Sequence, residues 1–112
     1  GMVLLPKLLA PDVMRKLTYT ATPVLADQAL AWGLVTELAD DPLAAAMELA
    51  TEISGRSPSA ICAAKRLVTL SETASDTEIL LAESQEQAAL VGTPEQMEVV
   101  AATLQKRPAV FK

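Results

Sequence analysis

Glu48 and Glu52 stand four residues apart and Glu83 and Glu86 three apart, spacings that place two carboxylates on one helix face. Paired carboxylates can divide acid and base roles when burial drives their pKa values apart. No apolar stripe surrounds either pair, so both read as solvated faces. Asp40 and Asp41 are neighbours, but Asp41 directly precedes Pro42 and is better read as a helix cap. Cys62 is the single cysteine, and the chain has no histidine with which to activate it or to complete a nucleophilic triad. It lies in an apolar run and reads as a small core residue. Trp32, just before Gly33, reads as a core or interface plug rather than a stacking platform. Neither a catalytic set nor a metal-ligating set emerges from these residues.

The cations leave one corner of interest. Lys65 and Arg66 are adjacent on a helix and so diverge. Lys106 and Arg107 instead close the last helix, immediately before Pro108. Cations are favoured there by the helix dipole, and that alone accounts for them. From the residues themselves the chain is a helical domain with a basic C-terminal corner.

The elements that position these groups are written in proline. "DDPLAAAMELATEISG", "SPSAICAAKRLVTL" and "TPEQMEVVAATLQKR" each place Asp41, Ser57 or Thr93 before a proline. The oxygen-bearing side chain accepts from first-turn N–H groups, while proline presets φ and loses no hydrogen bond. Thr93 with Gln96, and Ser75 with Glu78, have capping-box spacing. Apolar periods follow each start. Met97, Val100, Ala101 and Leu104 predict one buried stripe, and Leu43, Ala46, Met47, Ala50 and Ile53 another, closed by Gly55 in the C′ position. Ile61, Ala64, Leu67, Val68 and Leu70 make the helix after Ser57 apolar on more than one side. A longer amphipathic helix is predicted from Asp76 to Val91, stopped by Gly92. Upstream, a helix is expected from about Asp12 to Tyr19 and a short one ending at Gly33, with "GLVTEL" as an extended stretch.

One extended stretch makes no sheet, so the fold class is all-α, with about six short to medium helices in one domain, 2–112. Gly1 reads as a cloning remnant. Aromatics are only 3% of the chain against 51% hydrophobic residues, which suits close helix packing on Ala, Leu, Val and Met. The net charge of −5 argues against nucleic acid as a partner. No apolar run reaches membrane-spanning length and no signal peptide is recognised, so a cytoplasmic location without membrane partners is expected.

Three stretches in register resemble the C-terminal portion of the crotonase superfamily, the enoyl-CoA hydratases and isomerases. "LTYTATPVLADQALAWGLVTEL" is similar to that family's helix, Thr-Gly turn and "GLV" segment, with Ala21 in place of the usual Gly. "LATEISGRSPSAICAAKRLV" resembles its "LA..IA..SP.A....K" run, and "GTPEQMEVVAATLQKRPAVF" its closing "G.ED..EG..AF.EKR.P.F". The resemblance implies a helical domain that closes the CoA pocket and assembles subunits. The catalytic half, which would supply the oxyanion hole and acid/base carboxylates, would lie upstream. None of Glu37, Glu48, Glu52 or the later glutamates matches a family catalytic carboxylate.

By the same resemblance Lys106 is the CoA-phosphate contact, while Thr103 stands where an aromatic often packs near adenine. The family reaction is hydration or isomerisation of an enoyl-CoA in fatty acid metabolism, a lyase or isomerase activity with the CoA thioester as substrate and no separate cofactor. The 112 residues alone are expected to be inactive and to self-associate, a two-fold dimer being the commonest closed form. The other readings are a non-enzymatic helical self-association module and a CoA-binding fragment that needs a separately encoded catalytic half as partner.

Overall fold

Seven helices run through residues 2–111, which the computed structural model describes, and no strand occurs among them. Gly1 lies outside the described residues. Contacts within the chain gather it into two compact units, residues 1–45 and 46–112.

The first unit holds α1 (Leu5–Leu8), α2 (Pro11–Thr20) and α3 (Ala26–Ala31). The one-turn α1 is the helix beyond the six expected, too short to show a period. Leu9, at the joint of α1 and α2, is 5% exposed. Helix α2 begins on Pro11 and ends in Ala21, whose φ of 49° is left-handed and whose N–H donates to the Leu17 carbonyl at 3.0 Å. An L-residue there costs about 1–2 kcal/mol, a cost that glycine escapes. The resemblance marked this position, and the backbone supplies the reason. Helix α3 stops at Gly33, with φ 76°, where Gly33 N–H donates to Leu30 and Leu34 N–H to Ala29, the paired bonds of a Schellman turn. That turn uses Leu34, and residues 34–36 bend, so the expected extended stretch does not form. Trp32 is half-buried and lies 5.5 Å from the Lys16 ammonium, a cation–π contact between α2 and the end of α3.

Helix α4 (Pro42–Ser54) starts in the first unit and runs into the second. Asp41 caps it, its Oδ1 accepting from Ala44 N–H at 3.0 Å. Gly55 ends it without entering the left-handed region, its N–H shared between Thr51 and Glu52 carbonyls. The expected stripe of Leu43, Ala46, Met47, Ala50 and Ile53 is exposed throughout.

Helices α5 (Pro58–Ser71) and α6 (Asp76–Leu90) form a hairpin. Ser75 and Glu78 complete the expected capping box at the start of α6. The Glu78 carboxyl, accepting from Ser75 Oγ and N–H, falls below its ordinary range. Ala63 of α5 is 2% exposed, and Arg66 forks onto Glu86 of α6 at 2.6 and 2.7 Å. Glu86 is half-buried in line with Ile79, Ala82 and Leu90, so it faces the hairpin rather than a solvated surface. Cys62 is exposed, not in the core as expected, because Ala63 takes the inward position.

Candidate functional site

The last helix, α7 (Pro94–Leu104), carries the site from two faces. Thr93 caps it by accepting from Gln96 N–H at 3.3 Å, while Gln96 reaches back one residue further than a capping box, to Gly92 N–H. The face turned inward holds Glu95, Glu98 and Ala102, the last 3% exposed. Met97, Val100 and Leu104, expected to be buried, are exposed, and Ala101 is half-buried. The expected burial of this stripe does not occur, because the face that packs inward is the one carrying Glu95, Glu98 and Ala102.

Glu95 ties α7 to α5. Its Oε2 accepts from Ser57 Oγ at 2.7 Å, Ser59 Oγ at 2.7 Å and Ser59 N–H at 3.0 Å. A carboxylate at a helix N-terminus is favoured by the dipole and by the unpaired N–H groups of the first turn. Ser59 first, then Ser57, hold the Glu95 carboxyl below the usual carboxylate range.

The C-terminal corner differs from the expected basic last turn. Helix α7 ends at Leu104 with Gln105 as C-cap, so Lys106 and Arg107 lie beyond it. Lys106 N–H donates to Thr103 at 3.2 Å and Arg107 N–H to Ala102 at 3.0 Å, a second Schellman turn. Lys106 occupies its left-handed C′ position with φ 51°, where glycine is usual. The two cations then part company. Arg107 grips Glu98 with both arms, Nη1 to Oε1 at 2.5 Å and Nη2 to Oε2 at 3.0 Å, and its Nε donates to Gln105. Val110 N–H also donates to Glu98 Oε1, at 2.9 Å. Arg107, followed by Val110, lowers the Glu98 pKa to about 2, and Glu98 raises that of Arg107. Lys106 is exposed and makes no ion pair with another described residue.

A groove of about 710 Å³ opens between the start of α5, the inner face of α7 and the tail after it. Val99, Ala102, Thr103 and Phe111 line it, with Arg56 and Arg107 among the polar groups at its walls. Arg56 pairs with Glu52 across one turn, which keeps Glu52 on a solvated face as expected. Thr103 spends its hydroxyl on the Val99 carbonyl and brings no ring to this groove. Lys106 does not line it. Sequence reasoning missed Glu95 and Glu98. The acidic residue at α7's first turn was visible, but its partners lie 36 and 38 residues away. Among the described residues no group of three or more His, Cys, Asp or Glu could hold a metal ion, and no helix is long and apolar enough to cross a membrane.

No protein-family model matches the chain, and no curated protein matches it by sequence. Solved structures do. Enoyl-CoA hydratase EchA1 from Mycobacterium marinum superposes with a TM-score of 0.81 at 28% identity, over 95% of this chain and 43% of its own. An enoyl-CoA hydratase from Mycobacterium tuberculosis H37Rv gives 0.77 at 26%, over 96% and 44%. One from Polaromonas sp. JS666 gives 0.83 at 22%, over 95% and 42%, a likeness of fold. The chain thus spans less than half the length of the structures it matches. In fold and helix order the chain is similar to the C-terminal helical portion of these enoyl-CoA hydratase structures of the crotonase superfamily.

Proposed function

We propose that these 112 residues serve as the CoA-pocket and oligomerisation portion of an enoyl-CoA hydratase/isomerase-type protein. Lys106 contacts a CoA phosphate, and the residues that activate the thioester lie outside residues 1–112. The observation that carries the reading is the division of labour after α7. Arg107 is neutralised by Glu98, whereas Lys106 keeps an exposed ammonium in a fixed backbone turn. Together with a complete catalytic half, this corner would hold the nucleotide end of an acyl-CoA. The thioester would undergo hydration or isomerisation through an enolate stabilised by backbone N–H groups. Such a role fits cytoplasmic fatty acid metabolism and needs no further cofactor.

The second reading is a non-enzymatic helical association module. The exposed apolar faces of α4, α5 and α7 favour it, since large apolar patches are rare on monomers.

Lys106→Gly separates an anion contact from a helix-end role. It relieves the left-handed backbone while removing the charge. Calorimetric titration of CoA is made on the chain and on a fusion behind the N-terminal portion of a matched hydratase. CoA should bind a few-fold more weakly to the variant, as roughly 0.2–1 kcal/mol for one exposed ion pair requires, with no loss of thermal stability. Equal affinity with and without the lysine ends the phosphate role. A crotonyl-CoA turnover by the 112 residues alone, within tenfold of a complete hydratase, ends the assignment of catalysis elsewhere. CoA binding by the unfused chain would argue against the pure association module.

A further inference from the structure

We propose that Glu98 is a positioning residue for Lys106, acting from inside the last helix to fix the turn that presents the lysine. The inference rests on the reading of Lys106 as an anion contact and adds what holds it there.

Lys106 sits in a backbone region that an L-residue leaves unless its surroundings hold it. The turn's own two hydrogen bonds are those of any Schellman turn, and elsewhere in this chain the residue at that position is Gly33. What the Lys106 turn has in addition is Glu98. One carboxylate takes the Arg107 fork on the residue after Lys106 and the Val110 N–H three residues further on. Arg107 also bridges to Gln105 and to the Pro108 carbonyl. The segment after Lys106 is therefore tied to a single side chain two turns back in α7, and Arg107 links it to Gln105 on the near side of the lysine. Proline at 108 fixes φ just past the knot, and Phe111, half-buried, lines the groove beside Val99 and Ala102. The fork also consumes the charge of Arg107. An anion arriving at this corner meets Lys106 without competition from its neighbour.

The test uses the isotopically labelled chain and the fusion described above, with CoA as the probe. Glu98→Gln keeps the shape of the side chain and its acceptor for Val110 but removes the charge that holds the fork. In the wild type Lys106 should show the strong intraresidue Hα–HN contact of a positive φ, and Val110 N–H should exchange slowly. In Glu98→Gln both signatures should fade and CoA should bind a few-fold more weakly, while helices α5 and α6 keep their amide shifts. Arg107→Gln cuts the same fork from the other end and should give the same two changes, which guards against misfolding of one variant. A Glu98→Gln chain that retains the positive-φ signature overturns the inference. So does one that loses it with CoA affinity unchanged. The two levels separate cleanly. If Lys106→Gly already binds CoA as tightly as wild type, the phosphate contact itself falls. If Lys106→Gly weakens CoA and Glu98→Gln does not, only the role of Glu98 falls.

Discussion

Glu95 and Ser59 lie 36 residues apart in sequence, yet the carboxylate of one receives both the hydroxyl and the backbone N–H of the other. Helix α7 thereby supplies the N-terminal cap that α5 would otherwise take from Ser57 alone. Losing a serine cap costs about 1 kcal/mol. Ser57→Ala, which removes a cap and one ligand of Glu95, should therefore lower Tm by roughly 4–8 °C. Thermal unfolding by circular dichroism checks it, and an unchanged Tm would show the junction to be idle. Because the Glu95 pKa is lowered in the folded chain, its contribution is present above the ordinary carboxylate range and lost as pH falls.

Glu98 gives a pH window of its own. Its folded pKa of about 2 lies below the ordinary 4.5, so the stabilisation is complete above pH 4.5 and disappears between there and about pH 2. Wild type should exceed Glu98→Gln in Tm by a constant margin at neutral pH. The two melting curves should converge as pH approaches 2. A margin that persists unchanged at pH 2 would locate the effect elsewhere.

Ala21→Gly should stabilise the chain. The left-handed cost of alanine, about 1–2 kcal/mol, exceeds the roughly 0.5–1 kcal/mol of extra chain entropy that glycine loses. The net gain is about 0.5–1 kcal/mol. Gly92→Ala should do the reverse: no atom lies within 4 Å of the added methyl, so the loss comes from the backbone at φ 78°. Denaturant midpoints of the two variants, moving in opposite directions, would support the account; movement in the same direction would not.

Self-association should be visible in solution. Val68 is 66% and Leu104 79% exposed, and Met97, Val100, Leu80 and Leu81 are exposed with them. Light scattering should report a mass above that of one chain at high micromolar concentration, with a dimer as the simplest closed form. Leu104→Glu should shift it toward the monomer. A monodisperse monomer before substitution would contradict the expectation.

Helix starts were legible because a cap is local chemistry: Asp41, Ser57, Ser75 and Thr93 all accept where their spacing placed them. Stops at Gly33 and Gly92 were legible for the same reason, since positive φ selects glycine. What covers a face was not legible. Periodicity says that Met97, Val100 and Leu104 share a side of α7, but not which side finds a neighbour. The pairing of Glu98 with Arg107 was hidden by the end of the helix between them. Had α7 continued through Arg107, as the position of Pro108 suggested, the two residues would stand nine apart on a regular helix, and the fork depends on the turn at Lys106.

Leu9, Ala63 and Ala102 are the buried apolar residues among those described, and two of them are alanines. That sparse interior has a calorimetric signature. The heat capacity gained on unfolding comes mainly from apolar surface newly wetted, about 0.45 cal/mol/K for each Å². An average fold of this length would show roughly 1.3–1.7 kcal/mol/K. With most of its large aliphatic side chains already exposed, the isolated chain should fall well short of that figure, and its stability should vary almost linearly with temperature. Any partner that dries the stripe of α7 would restore the missing curvature, so the heat capacity of unfolding reports the covering of that face without the partner having to be seen.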